Sequence, residues 1–164
     1  KPTEPKPYVH DVLLQLVSIH TQVSTTAPPL LHKVLAWFLE ELTIAMSVGF
    51  SRRPNYTLAD IMQATLDLEF MSQVLVQYTS EKETELTSGV YAMMDERTDD
   101  QSRTGLQMEL GGLKGHLKVV RERTKGEFGC FRRERSRARG TTVSNRSHPG
   151  HGQQMPTQQR PLAY

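Results

Sequence analysis

"YTLADIMQATLDLEFMSQVLVQYTSEKETEL" (residues 56–86) starts a helix, stops it, and starts another. Thr57 stands where an N-cap belongs, and Asp60 follows three residues later, like a capping box with Asp in place of Glu or Gln. From about Leu58 to Tyr78 the apolar positions are Ile61, Met62, Ala64, Leu66, Leu68, Phe70, Met71, Val74, Leu75 and Tyr78. They cover so wide an arc that this helix needs neighbours on more than one side. "TSEKE" then restarts the chain: Ser80 is an N-cap with Glu83 at N3, and Glu81, Glu83 and Glu85 suit the positive end of a helix dipole. Two helices joined by a short link, the first wanting several neighbours, predict a helical bundle.

The segments on either side repeat this pattern. "KPTEPKP" (1–7) has three prolines and reads as an extended linker. Val9, Val12, Leu13, Leu16, Val17, His20 and Val23 then fall on one helical face, which the prolines of "STTAPP" end. A second helix, about Leu30 to Arg52, has an inner stripe of Leu31, Val34, Leu35, Phe38, Leu42, Ala45, Met46 and Gly49. Trp37, Leu39, Ile44 and Val48 widen it, so it too should pack on two sides. A fourth helix, about Glu81 to Arg97, has a narrow stripe of Leu86, Val90, Met93 and Met94. A fifth, about Asp100 to Thr124, spaces Leu106, Leu110, Leu113, Leu117 and Val120 like a coiled-coil seam. Gly111 and Gly112 lie inside that seam at about 1 kcal/mol each relative to Ala, which predicts a kink or break there. No segment alternates with the period of a strand. The fold expected is all-α, an antiparallel bundle of four to five helices over residues 8–130.

Charge divides the 164 residues. Residues 1–130 carry 13 Lys/Arg and 17 Asp/Glu, a net of −4, whereas 131–164 carry 7 Arg and 1 Glu, a net of +6. The second part has few large apolar residues and too little to bury to offset its ordering entropy, so it reads as a disordered basic tail. Its first residues, with the end of the body, hold the candidate contact residues for anionic lipid or an acidic partner: Phe128, Cys130, Phe131, Arg132, Arg133, Arg135, Arg137 and Arg139. The arginines would attract headgroups at about 1 kcal/mol each. Phe128 and Phe131 are candidates for insertion into a lipid interface, and Cys130 for acylation. A merely solvated tail is the plainer reading. Nucleic acid ranks last, since the body is acidic and shows no base-reading fold. The lone cysteine excludes an internal disulfide. The chain begins with Lys1, which suggests a piece of a longer polypeptide. No apolar run approaches the roughly 18 residues of a membrane helix, because His, Gln, Glu or Thr interrupts the longest stretches.

Catalytic and cofactor chemistry is not written in the sequence. His10, His20 and His32 lack metal-ligand spacing and read as surface or core-edge residues, and "HPGH" (148–151) has no further ligand. Asp67 and Glu69 point to opposite sides of a helix and cannot work as an acid/base pair; Asp67 reads first as solvent-exposed, with a bond to a cap or a basic residue of a neighbouring helix as the lesser alternative. Asp95, Glu96, Asp99 and Asp100 lack the EF-hand framework and fit a helix end followed by a helix start. "GGLKG" lacks the phosphate-loop spacing. The chain is therefore read as no enzyme, with no cofactor and no metal.

Three stretches taken together, "PYVHDVLLQLVSIHTQVSTTAPPL" (7–30), residues 56–86 above and "LKVVRERTKGEFGCFRRERSR" (117–137), resemble the C-terminal region of a fungal exocyst subunit of the secretory-subunit-five type, called exocyst component two in animals. The resemblance implies the end of a rod of stacked helical bundles, without catalytic activity. Its partners would be the other exocyst subunits, and its task the tethering of secretory vesicles to the plasma membrane. Small GTPases and membrane phosphoinositides would act on the complex mostly through other subunits. It also implies a cytoplasmic protein, peripheral at sites of polarised secretion. A bundle lacking its preceding neighbour should leave its core incompletely buried near Tyr8 and Val9.

Overall fold

A computed structural model describes residues 1–132. They form five helices: α1 (Pro7–Thr26), α2 (Leu31–Ser51), α3 (Leu58–Val74), α4 (Glu81–Glu96) and α5 (Asp100–Arg123). Single 3₁₀ turns at Pro28–Leu30, Val76–Tyr78 and Gly129–Phe131 complete the body. Among the described residues there is no strand, only an isolated bridge between Tyr56 and Thr98. Short links reverse the chain between successive helices. The most extensive packing is of α4 on α2 and of α5 on α3.

The caps account for the starts. Thr57 accepts the Asp60 N–H while the Asp60 carboxylate accepts the Thr57 N–H, so the box is complete. Ser80 accepts the Glu83 N–H at 3.0 Å, but Glu83 does not reach back. Instead its buried carboxylate accepts from Thr87 at 2.7 Å and from Thr43 of α2 at 3.3 Å, tying α4 to α2. Asp99 caps α5 through the Ser102 N–H at 2.8 Å. The far end of the body is closed by Arg97, which donates to the carbonyls of Ser51 and Arg53.

α3 is the axis. No residue from Ile61 to Leu75 is exposed. α5 lies so close to its start that a Cβ on Gly105 would come within 2.9 Å of the Leu58 side chain. α5 runs unbroken through Gly111 and Gly112, against the kink expected there. Leu113, Leu117 and Val120 bury immediately afterwards, and at about 0.8 kcal/mol per buried methylene this packing outweighs the glycine cost. The glycines face open space, where nothing forces a bend.

α2 departs from expectation in two ways: it buries one face rather than packing on two sides, and its composition suits a membrane span. Pro28–Ser51 is long and apolar enough to cross a membrane by length and composition, with mean hydropathy 1.4 over 18 residues. Its charged interruptions from Val34 to Ser51 are Glu40 and Glu41, and Thr43, Ser47, Gly49 and Ser51 lower hydropathy little. Its core face (Leu35, Leu39, Thr43, Met46) is buried, while Leu30, Trp37 and Val48 on the opposite side are each about half exposed or more.

Residues 1–6 are held rather than extended away from the body. Lys6 N–H donates to Asp67 at 2.8 Å, the Glu4 carbonyl accepts from Gln63, and the Glu4 carboxylate pairs with Arg123.

Candidate interaction surfaces

The sequence points to the end of the body, and there the structure corrects it. After α5 the chain turns at 124–128 and folds back, so Phe128 and Phe131 enter the core with exposures of 4% and 2%. Phe128 meets His10 of α1 edge-on at 5.4 Å and Phe70 of α3 at 6.2 Å. Phe131 meets His20 at 5.8 Å and Tyr78 at 6.2 Å. Neither ring is presented to a membrane, because burying an aromatic here is worth more than leaving it in water. His10 and His20 are thereby edge-of-core residues, as expected. Cys130 is half-buried, and burial pushes its thiol pKa up, away from the thiolate that nucleophilic chemistry needs. Of the arginines, only Arg132 lies among the described residues; Arg133, Arg135, Arg137, Arg139 and the disordered-tail expectation lie outside them, as does "HPGH".

Arg132 is nevertheless well placed. It lines a groove of about 350 Å³ between the end of α3 and the end of α5, together with Arg121 and Lys125. A smaller hollow beside it adds Lys114 and Lys118. Lys114, Lys118 and Arg121 follow one another at i, i+4 and i+7 on one face of α5, and Lys125, in the turn just past its end, continues this basic ridge.

A second concavity, about 450 Å³, opens between α1, α2 and α3. Val12, Leu42, Ala45, Met46 and Phe50 make it apolar, and Gly49 leaves room at its wall. Asp67, expected first in solvent, is instead buried beneath it and accepts from Lys6 N–H (2.8 Å), Tyr8 O–H (2.9 Å) and Gln63 Nε2 (2.9 Å). Partial burial and the neighbouring carboxylate hold the Tyr8 phenol well above its usual range, so it stays a donor. Tyr8 is 41% exposed whereas Val9 is buried. The expected incompleteness at this end thus holds for Tyr8 and the groove beside it, but not for Val9. Glu69 turns the other way, accepting from Tyr91 of α4 at 2.8 Å, so the two carboxylates serve different helices. Among the described residues no group of His, Cys, Asp and Glu could hold a metal ion.

Residues 1–131 match the family model described as "Exocyst complex component Sec5". The chain belongs to the Sec5 family of exocyst components. The match ends at Phe131, where the last turn of the folded body ends. No curated protein and no solved structure matches the chain.

In this Sec5-family body the sequence-predicted residues that lie among the described ones do not form one site. Of these four, Phe128 and Phe131 serve the core, Cys130 sits between, and Arg132 joins a charged surface. The residues missed were Lys114, Lys118, Arg121 and Lys125. Their helical spacing was legible, but only the fold-back of Gly126–Phe131 reveals that Arg132 lands beside them.

Proposed function

We propose that this chain is part of a non-catalytic exocyst subunit that tethers secretory vesicles to the plasma membrane through protein–protein contacts. The observation that carries the reading is the Sec5 family match, which spans the folded body from Lys1 to Phe131. The surface supports it: α2 keeps a stripe of exposed apolar side chains opposite its core face, and apolar patches of this kind mark association surfaces. Its partners are the other exocyst subunits, with small GTPases and the membrane engaging the assembled complex. Its place is the cytoplasmic side of the plasma membrane at sites of polarised secretion.

The test is affinity purification of the full-length protein from its own cells, with mass spectrometry of what accompanies it. Stoichiometric recovery of the other exocyst subunits is the expected result. Recovery of the chain alone, or with ribonucleoproteins, overturns the proposal.

A further inference from the structure

The groove between the ends of α3 and α5 combines two chemistries. Its floor is apolar, made by Val74, Phe128 and Phe131, and Val76 stands 65% exposed at its lip. Its walls are cationic, made by Arg121, Lys125 and Arg132, with the amides of Gln73 and Gln77 between them. The charge is only partly neutralised from within, by Glu122, which lines the adjoining hollow beside Arg121 and Arg132. Among the described residues Arg132, Lys114 and Lys118 make no ion pair; Arg121 bonds only the neutral Gln73, at 3.3 Å; and Lys125 reaches Glu122 only at 3.8 Å. Bringing Arg132 next to Arg121 and Lys125 works against folding by like-charge repulsion, and an anion in the groove would remove that cost.

We infer that this groove binds an acidic segment of a partner protein, in which one or two large apolar residues are flanked by carboxylates. The apolar residues fill the space over Val74 and Phe128, and the carboxylates take charge-assisted hydrogen bonds from Arg121 and Arg132. The recessed floor selects this occupant over a bilayer, since a flat headgroup layer would reach the cations but leave the apolar floor unfilled. It selects it over RNA as well: the two phenyl rings are almost fully buried, stacked on each other and edge-on to Phe70 and Tyr78, and so give bases no open stacking platform. The chain's own following residues, with Arg133, Arg135, Arg137 and Arg139, would only add positive charge. The proposal rests on the partner-binding reading for who supplies the segment, but not for the groove's chemistry.

The experiment is fluorescence anisotropy of the full chain with a fluorescein-labelled octapeptide, Glu-Glu-Asp-Leu-Phe-Glu-Asp-Glu. Saturable, salt-sensitive binding is expected, weakened about tenfold or more by the double variant Arg121→Glu, Lys125→Glu and by Val76→Asp. Replacing Leu-Phe in the peptide by Ser-Ser should weaken it to a similar degree. All three substituted side chains are partly or wholly exposed, and circular dichroism checks that the variants remain folded. Equal binding by the variants, or by the Ser-Ser peptide, overturns the proposal in favour of diffuse charge attraction. So does preferential capture by phosphatidylserine vesicles that displace the peptide. If the octapeptide fails while exocyst subunits still co-purify, the groove proposal falls and the tethering reading stands.

Discussion

α2 and α3 are both rich in apolar residues and lie in one bundle, yet the fold uses them differently. α3 buries nine of its seventeen residues and exposes none from Ile61 onward. α2 buries four of twenty-one and leaves Trp37 53% exposed and Val48 about as much. α3 is enclosed by α1, α4, α5 and the returning Phe128. α2 packs on α1 and α4 along one side only, so its second apolar face meets solvent. A helix surrounded by its own chain stabilises the monomer, whereas one with a bare apolar face adds little to the monomer and much to an assembly.

The largest test of that difference is a pair of truncations. Phe70→Ala on α3 removes a fully buried ring that touches Phe128 and should cost about 3–5 kcal/mol. Trp37→Ala on α2 removes a larger ring that is half in water and should cost under about 1 kcal/mol. Urea denaturation of the two variants measures both. A Trp37 loss equal to that of Phe70 would show that α2's outer face is covered in the isolated chain, and the contrast between the helices would collapse.

The next effect concerns the one charged group buried on α3. Asp67→Ala leaves Lys6 N–H, Tyr8 O–H and Gln63 without their shared acceptor, and should cost about 2 kcal/mol, with part recovered because Tyr8 can turn to water. It should also free residues 1–6 for proteolytic trimming. Glu41→Ala, at an exposed position on α2, should change nothing measurable. Trimming at the same rate in both variants would mean that Glu4–Arg123, Lys1–Glu109 and the Gln63 bond to the Glu4 carbonyl hold the N-terminus without Asp67.

Much of this was legible in the chain. The Thr57 and Ser80 caps fixed where α3 and α4 begin, because capping is a local interaction between residues three apart. The wide arc of α3 announced that it is enclosed, but no periodicity could say that α2 is not, since an apolar face looks the same whether or not a neighbour covers it. The kink expected at Gly111 failed because propensity is a weak local bias, here overridden by the packing of Leu113 and Leu117. The aromatic pair at 128 and 131 was read for the wrong surface for a related reason: its partners, His10, His20, Phe70 and Tyr78, are distant in sequence. The basic ridge was present as helical spacing but needed the fold-back to become a groove.

Acid titration sharpens the contrast at the helix starts. Asp60 is held below the usual carboxylate range, first by its hydrogen bond from the Thr57 hydroxyl, and Asp99 by the Ser102 N–H. A carboxylate lowered on folding contributes stability that is fully present above its unfolded pKa and is lost as pH falls through its folded value. Stability should therefore hold at neutral pH and decline below about pH 4. Thr57→Ala should cost about 1 kcal/mol at neutral pH, and Asp60→Asn should flatten the acid limb. α2 has no side-chain cap at its start, so Leu30→Ala should leave the acid profile unchanged. An acid limb untouched by Asp60→Asn would assign the decline to other carboxylates.

The smallest expected effect has the opposite sign. α3 contains no glycine, whereas α2 carries Gly49 and α5 carries Gly111, both within helix and both with nothing within 4 Å of an added Cβ. Gly→Ala at either should stabilise the chain by about 0.5–1 kcal/mol, because the unfolded chain loses freedom and the folded helix gains no clash. Thermal melts of the two variants measure this. Gain at both positions means that the space beside Gly49 is as open as solvent in the isolated chain. Gain at Gly111 but loss at Gly49 would mean that α1 closes over the α2 groove in solution, which would bring α2 closer to the enclosed state of α3.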